Sequence, residues 1–227
     1  TLNTITPEEI DWMVHRTTQR ITTHTLQLPE EIETKLKHAL IRGTATGENP
    51  EETARQLLKQ VGNTFKGGLP RATMIARTET HDAQRHATQQ WESRNTDILE
   101  GWVWVAALDK RTCPACIAMH GTTHPTTEPG PNDHHRGRCT RVPKTKPWAQ
   151  LGINQTDTAP KIQTGEQWYR SLTPQAQADI LGAQRAHLIN TEQIPFTALA
   201  QRTTNPGWRD TITQRPLSDL KQKAKNA

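Results

Sequence analysis

Three cysteines and a nearby pair of histidines are the residues best suited to do chemistry. Cys113 and Cys116 stand in Thr112-Cys113-Pro114-Ala115-Cys116, and the third cysteine, Cys139, follows closely on His134 and His135. An odd count suits a disulfide framework poorly. The C-x2-C spacing lets two thiolates reach one metal ion from a tight knuckle, and it also serves redox motifs. A tetrahedral zinc site needs a fourth ligand, and a histidine just before Cys139 supplies one. With His134 the pattern is C-x2-C-x17-H-x4-C, the two-plus-two layout of structural zinc sites. Two other readings use fewer of these residues. The cysteines could be small buried hydrophobes, or the pair could be a redox motif, which leaves Cys139 and both histidines without a task. Four protein ligands would close the site, so no zinc catalysis is expected.

A second group is basic. Arg136, Arg138, Arg141, Lys144 and Lys146 fall within eleven residues, and Lys221, Lys223 and Lys225 end the chain. Such clusters can neutralise phosphates without reading base sequence, and they can equally be a solvated surface. Enzyme signatures are sparse. Thr112, not Pro, precedes Cys113, which breaks the deaminase signature. H-E-x-x-H, G-x-x-x-x-G-K-[ST] and G-x-S-x-G are all missing. Asp133-His134-His135 beside a zinc knuckle leaves one enzyme alternative, an HNH-like nuclease acting on DNA.

The elements that must hold these groups come from a polar chain. Of 227 residues, 32% are apolar, the formal net charge is +5, and there are seven Trp. The apolar share is below the roughly 45–50% usual for globular domains, while the charge imbalance is too mild for a disordered chain. A thin-cored fold that leans on a metal or on neighbours is expected. No apolar run approaches the roughly 20 residues that cross a bilayer, and Thr1 to Asp11 lacks the basic start and apolar stretch of a secretory signal.

The pattern predicts a mainly α-helical α+β protein. Thr6-Pro7-Glu8-Glu9 reads as a helix start with Ile10, Met13, Val14 and Ile21 behind it. A second helix begins near Pro29, carries Ile32, Leu36 and Leu40, and stops at Gly43; a third runs from Asn49-Pro50 through Ala54, Leu57, Leu58 and Val61 to Gly62. The fourth and longest spans about Pro70 to Ser93, with the stripe Ala72, Ala76, Ala83, Ala87 and Trp91. The segment 98–108 contains the best strand, with Trp102 and Trp104 on one face and Val103 and Val105 on the other. A Gly/Pro/Thr-rich loop over 121–132 leads to a short strand near Arg138 to Val142, and 143–161 meanders. Helices resume at Thr164 and at Thr173-Pro174, and the basic tail from Gln201 has weak pattern and is expected to be partly extended. Three regions result: a helical region 1–68, a central module 69–145 with strands and knuckle, and a region 146–227 of linker, helices and tail.

The order of these pieces resembles the phage head morphogenesis proteins of the Mu F-like type, the minor head proteins. The likeness runs from Arg77-Thr78-Glu79 through Trp102 to Asp109-x-Arg111-x-Cys113-x-x-Cys116, then Gly121 and Pro131-x-x-His134-x-x-x-Arg138-Cys139. The family's usual ending, P-P-x-H-P-x-C-R-C, places His134 at the ligand position. This chain departs from the pattern at Gly137, where a cysteine is common, and at His120, where an acid often precedes the glycine. A further similarity covers Trp168-Tyr169, Gln175, Ile180-Leu181-Gly182, Arg185 and Leu188, so that the likeness spans roughly 70–190.

The resemblance implies a non-enzymatic virion protein of the capsid interior or portal vertex, made in the host cytoplasm and present in several copies. It would support head assembly and genome packaging or ejection. The implied partners are the portal protein, the major capsid protein and packaged double-stranded DNA, with no membrane. It also implies structural Zn2+ held by Cys113, Cys116, His134 and Cys139, with Arg77, Glu79, Trp102, Asp109 and Arg111 supporting the module. Arg77 and Glu79, two apart on a helix, point to different faces, so each needs its own partner if it is more than a solvated charge.

Overall fold

The computed structural model describes residues 30–62, 68–157, 161–205 and 209–226. The helix expected after Thr6 lies outside the described residues, as do the side chains of Ile32 and Leu36. The architecture is α+β and mainly helical, with eight α-helices, a three-stranded sheet and a two-stranded hairpin among the described residues. The chain divides into two compact units. One comprises the chain up to Thr88 with His135–Gly137 and Asn205–Arg209; the other comprises Gln89–His134, Arg138–Thr204 and Asp210 onward.

The first unit is built from helices α1 (Glu30–Ala45), α2 (Pro50–Val61) and most of α3 (Gly68–Ser93). The start of α2 is set by local chemistry. The Asn49 side chain accepts a hydrogen bond from the Glu51 backbone N–H at 2.9 Å, Pro50 opens the first turn, and Glu51 and Glu52 face the positive end of the helix dipole. Ala39, Leu40, Ala54, Leu57, Val61, Ala72 and Ala76 form the core. Helix α1 does not stop at Gly43 but continues to Ala45. The glycine is needed for packing: a Cβ there would stand 2.3 Å from the Thr53 hydroxyl of α2. The buried side of α3 is more ionic than its alanine stripe predicts. Thr78, Glu79, Asp82 and Arg85 are buried, whereas Trp91 is 49% exposed. Asp82 holds both Arg85 and Arg209 at 3.0 Å, and this pairing lets charge occupy a helix face that alanines alone were expected to fill.

The second unit centres on β1 (Leu99–Val105), which pairs antiparallel with β2 (Thr123–His124) on one side and β3 (Thr140–Thr145) on the other. Trp102 lies opposite both His124 and Pro143. Trp102, Val103 and Trp104 are all buried, so both faces of β1 are covered. The two-residue strand β2 falls inside the segment expected to be loop; it is too short for an alternating pattern to announce it.

Helix α4 (Pro114–Met119) leads from the knuckle to the larger core. That core joins Ile117 to Tyr169 on α5 (Gly165–Arg170), Leu181 on α6 (Pro174–Leu181), Ile189 on α7 (Ala183–Asn190) and Leu220 on α8 (Leu217–Lys225). Thr164 and Gln167 form a reciprocal capping box at the start of α5. The last residues are more regular than their pattern predicts. β4 (Ala200–Thr203) pairs with β5 (Thr211–Gln214), which accounts for the expected extended part, but the lysine-rich end is helix α8. Its only buried residue is Leu220, so no apolar stripe marks it in the sequence.

Candidate metal centre

The loop after β1 and the start of α4 are shaped by one carboxylate. The Asp109 side chain accepts from the Arg111 N–H at 2.9 Å and from the Thr112 hydroxyl at 3.1 Å, while the Arg138 guanidinium grips both its oxygens at 2.8 and 2.6 Å. The Arg138 hydrogen bonds hold the Asp109 carboxyl well below the usual carboxylate range. Arg111 adds a looser contact at 3.5 Å. This clamp joins the segment before Cys113 to the residue before Cys139.

Cys113 then caps α4, its sulfur accepting from the Cys116 backbone N–H at 3.4 Å, with Pro114 in the first turn. The chain's own folding thus creates the knuckle that C-x2-C spacing predicts. The ligand atoms of Cys113, Cys116 and His134 all lie within 4.8 Å of one another. Cys139 is buried, and its thiol interacts with that of Cys116. Cys113, Cys116 and His134 therefore converge, with Cys139 beside Cys116 but outside that group of three. Hydrogen bonding from the Cys116 thiol, then from His134, overcomes the opposing effect of burial and pulls the Cys113 thiol down to about 4. Hydrogen bonds with Cys113 first and Cys139 next push the Cys116 thiol far up. Sulfurs packed this closely compete for one proton, and a cation in their midst removes that competition. Tetrahedral zinc with Zn–S bonds of about 2.3 Å needs donors spaced by roughly 3.5–4 Å, which small side-chain adjustments reach from the observed spacing. The donor set fits zinc, and Cys113, Cys116 and His134 form a possible metal site.

The second layer around these ligands was only partly visible in sequence. Asp133 is fully buried and accepts from the Cys139 backbone N–H at 3.2 Å, fixing the turn that brings Cys139 inward. Its one sequence signal is its place beside His134, where it suggested a nuclease instead. Trp102 is fully buried, donates its indole N–H to the Glu128 carbonyl at 3.1 Å, and stacks on His124 at 4.3 Å between ring centres. His120 accepts the Ala106 backbone N–H at 2.9 Å through Nδ1, and burial pushes its pKa down, so it acts as a neutral structural group.

The remaining expected site residues are dispersed. Arg77 is exposed on α3 and Glu79 is buried there, both within the first unit. Arg141 does not belong with the surface cations. Its side chain is 1% exposed and pairs with the fully buried Glu92, and its guanidinium lies 4.5 Å from the Trp102 ring centre. Burial of this pair leaves Arg141 no surface for a phosphate. Lys144 contacts Glu100 at 3.1 Å, Lys146 contacts the Asp97 carbonyl at 3.0 Å, and Arg136 reaches the Pro70 carbonyl at 2.8 Å. Lys221, Lys223 and Lys225 are exposed on α8.

Compared with known families, residues 34–148, just over half of the chain, match the family described as Phage Mu protein F like protein. The chain belongs to this family. The matched stretch holds all four sulfur and imidazole groups, the Asp109–Arg138 clamp and the whole three-stranded sheet. No curated protein and no solved structure matches the chain. Membership in the Mu F-like family points to phage head morphogenesis, a generally structural task in the virion with capsid-related partners. No helix among the described residues is long and apolar enough to cross a membrane.

Proposed function

We propose that this chain is a non-enzymatic minor head protein whose central module is held together by one structural zinc ion. Cys113, Cys116, His134 and Cys139 would be its ligands. The observation that carries this reading is the approach of Cys113, Cys116 and His134 within 4.8 Å, with the buried Cys139 against Cys116, inside the segment that matches the Mu F-like family. Zinc at such a site is worth on the order of 10 kcal/mol, comparable with the whole stability of a domain. In a chain with 32% apolar residues, a term of that size would weigh heavily on whether the module stays folded.

In this reading the protein works by binding, at the capsid interior or portal vertex, and supports head assembly and genome packaging or ejection. The portal and major capsid proteins are its proposed neighbours. The exposed Lys221, Lys223, Lys225, Arg136 and Arg138, with Lys144 and Lys146 at lesser exposure, would meet packaged DNA through phosphates alone.

Metal analysis of the full chain, thermal unfolding with and without chelator, and His134→Ala test the reading. The expected result is one zinc per chain, a large loss of stability on chelation, and a His134→Ala variant that loses both metal and fold. A metal-free chain that keeps its stability overturns the zinc reading. A folded His134→Ala variant that has lost DNA cleavage overturns the non-enzymatic one, and purified phage heads lacking the chain overturn the virion assignment.

A further inference from the structure

A cleft of about 380 Å³ opens in the second unit between the β1–β2 side of the sheet and the β4–β5 hairpin. Trp104, Met119 and Ile212 form its apolar part, and all three also pack around the cysteine module. The hairpin is tied down there by the Ile212 N–H, which donates to the Asn132 carbonyl at 2.6 Å. Trp104 is only 2% exposed, yet its indole Nε1–H has no acceptor among the described residues. A buried donor left unpaired costs about 1–3 kcal/mol, so a wall residue with such a donor is a place where a ligand's acceptor gains affinity. The neighbouring Trp102, by contrast, has its N–H satisfied by Glu128.

The rim selects the class of ligand. Glu128 and Asp210 carry carboxylates, and the cations near them are already engaged: His124 contacts Glu128 at 3.1 Å, and Arg202 contacts Asp210 at 2.6 Å. With Arg202 and His124 also in the lining, the cleft sets two carboxylates against one guanidinium and one imidazole, each cation already paired to an acid, and offers a phosphate no unengaged cation. A peptide suits the site. Its backbone carbonyl can accept from Trp104, one apolar side chain can cover Met119 and Ile212, and an adjacent basic residue can face Glu128 and Asp210. The volume is in the range of small ligand pockets and holds roughly two residues.

We propose that this cleft binds an extended peptide segment of a partner protein, with an apolar residue followed by a basic one. It stands whether or not the central site holds zinc, so a failed titration leaves that reading intact.

The test is an NMR titration of the full chain, following the assigned Trp104 indole N–H resonance. The probes are the capped peptides acetyl-Gly-Leu-Arg-Gly-amide and acetyl-Gly-Leu-Glu-Gly-amide, and oligothymidylate. The expected result is a saturable downfield shift with the arginine peptide, about two- to fivefold tighter than with the glutamate peptide, as exposed charge pairs allow. Glu128→Gln, at a side chain 49% exposed and therefore tolerant of change, should narrow that preference. No saturable shift with either peptide, equal affinity for both, or displacement of the arginine peptide by oligothymidylate overturns the proposal.

Discussion

Replacing Arg141 with methionine leaves the Glu92 carboxylate buried without its counter-charge. The two side chains are 1% and 0% exposed, and the Arg141 Nε lies 3.0 Å from Glu92 Oε2, with Nη2 on the same oxygen. The other carboxylate oxygen, Oε1, has no partner among the described residues, so Glu92 depends on Arg141. The substitution also frees the Gly130 carbonyl, which accepts from Nη1 at 2.9 Å, and removes the cation over Trp102. Breaking a buried pair from one side costs about 3–5 kcal/mol, roughly a fifth or more of the stability of an ordinary domain. At about 2–4 °C per kcal/mol for a chain of this size, Tm should fall by roughly 10 °C. Glu92→Leu combined with Arg141→Met removes both charges and should cost clearly less than the two single changes together. Urea unfolding of the four proteins at equal metal loading reads the cycle. A cost under about 1 kcal/mol for Arg141→Met, or simple additivity, refutes the reasoning. The double variant also tests the DNA assignment. A lost phosphate contact would reduce the slope of log affinity against log salt by about 0.9, and burial predicts an unchanged slope.

Two further outcomes follow from the geometry. Gly165→Ala places a Cβ 1.7 Å from the Ile117 carbonyl oxygen, where α5 begins against α4 and where the Gly165 N–H donates to the His120 carbonyl at 2.9 Å. Backbone must move, so a loss of about 3 kcal/mol or more is expected in chemical unfolding, and an unchanged midpoint would contradict this packing. Asp109 has a depressed folded pKa because Arg138 binds its charged form. Its contribution is therefore present above the unfolded value near 4 and is lost as pH falls through the lower folded value. The stability gap between the parent and Asp109→Asn should shrink steadily from pH 5 to pH 2 in urea titrations, and a gap that does not vary with pH would count against the clamp.

What could be read from the sequence was what depends on near neighbours. The cap at Asn49 and the helix start at Thr164, with Gln167 three residues on, involve near neighbours, so residue type and spacing carry the signal, whereas helix α4, capped by Cys113 in the same local way, was not expected. Gly43 shows the limit of that logic. A glycine late in a helix pattern suggests a stop, but the Thr53 hydroxyl that actually requires it sits on another helix. Arg141, within the basic run from Arg136 to Lys146, shows the same limit. Charge along a chain does not reveal depth, and the partner that draws Arg141 inward, Glu92, lies 49 residues upstream. The candidate site combines both kinds of information. Its candidate ligands were legible as a spacing and Asp109 through the family resemblance, whereas the partner of Asp109 and the role of Asp133 were not. Asp109 reaches Arg138 across 29 residues, and Asp133 turns the Cys139 backbone from within the buried interior. These contacts draw the two ends of the loop between Cys116 and Cys139 toward one another through the chain's own side chains. Metal binding would then have less chain entropy left to oppose it, and in a chain so poor in apolar residues, that ordering by ion pairs and caps would help the proposed four-ligand site form from segments this far apart.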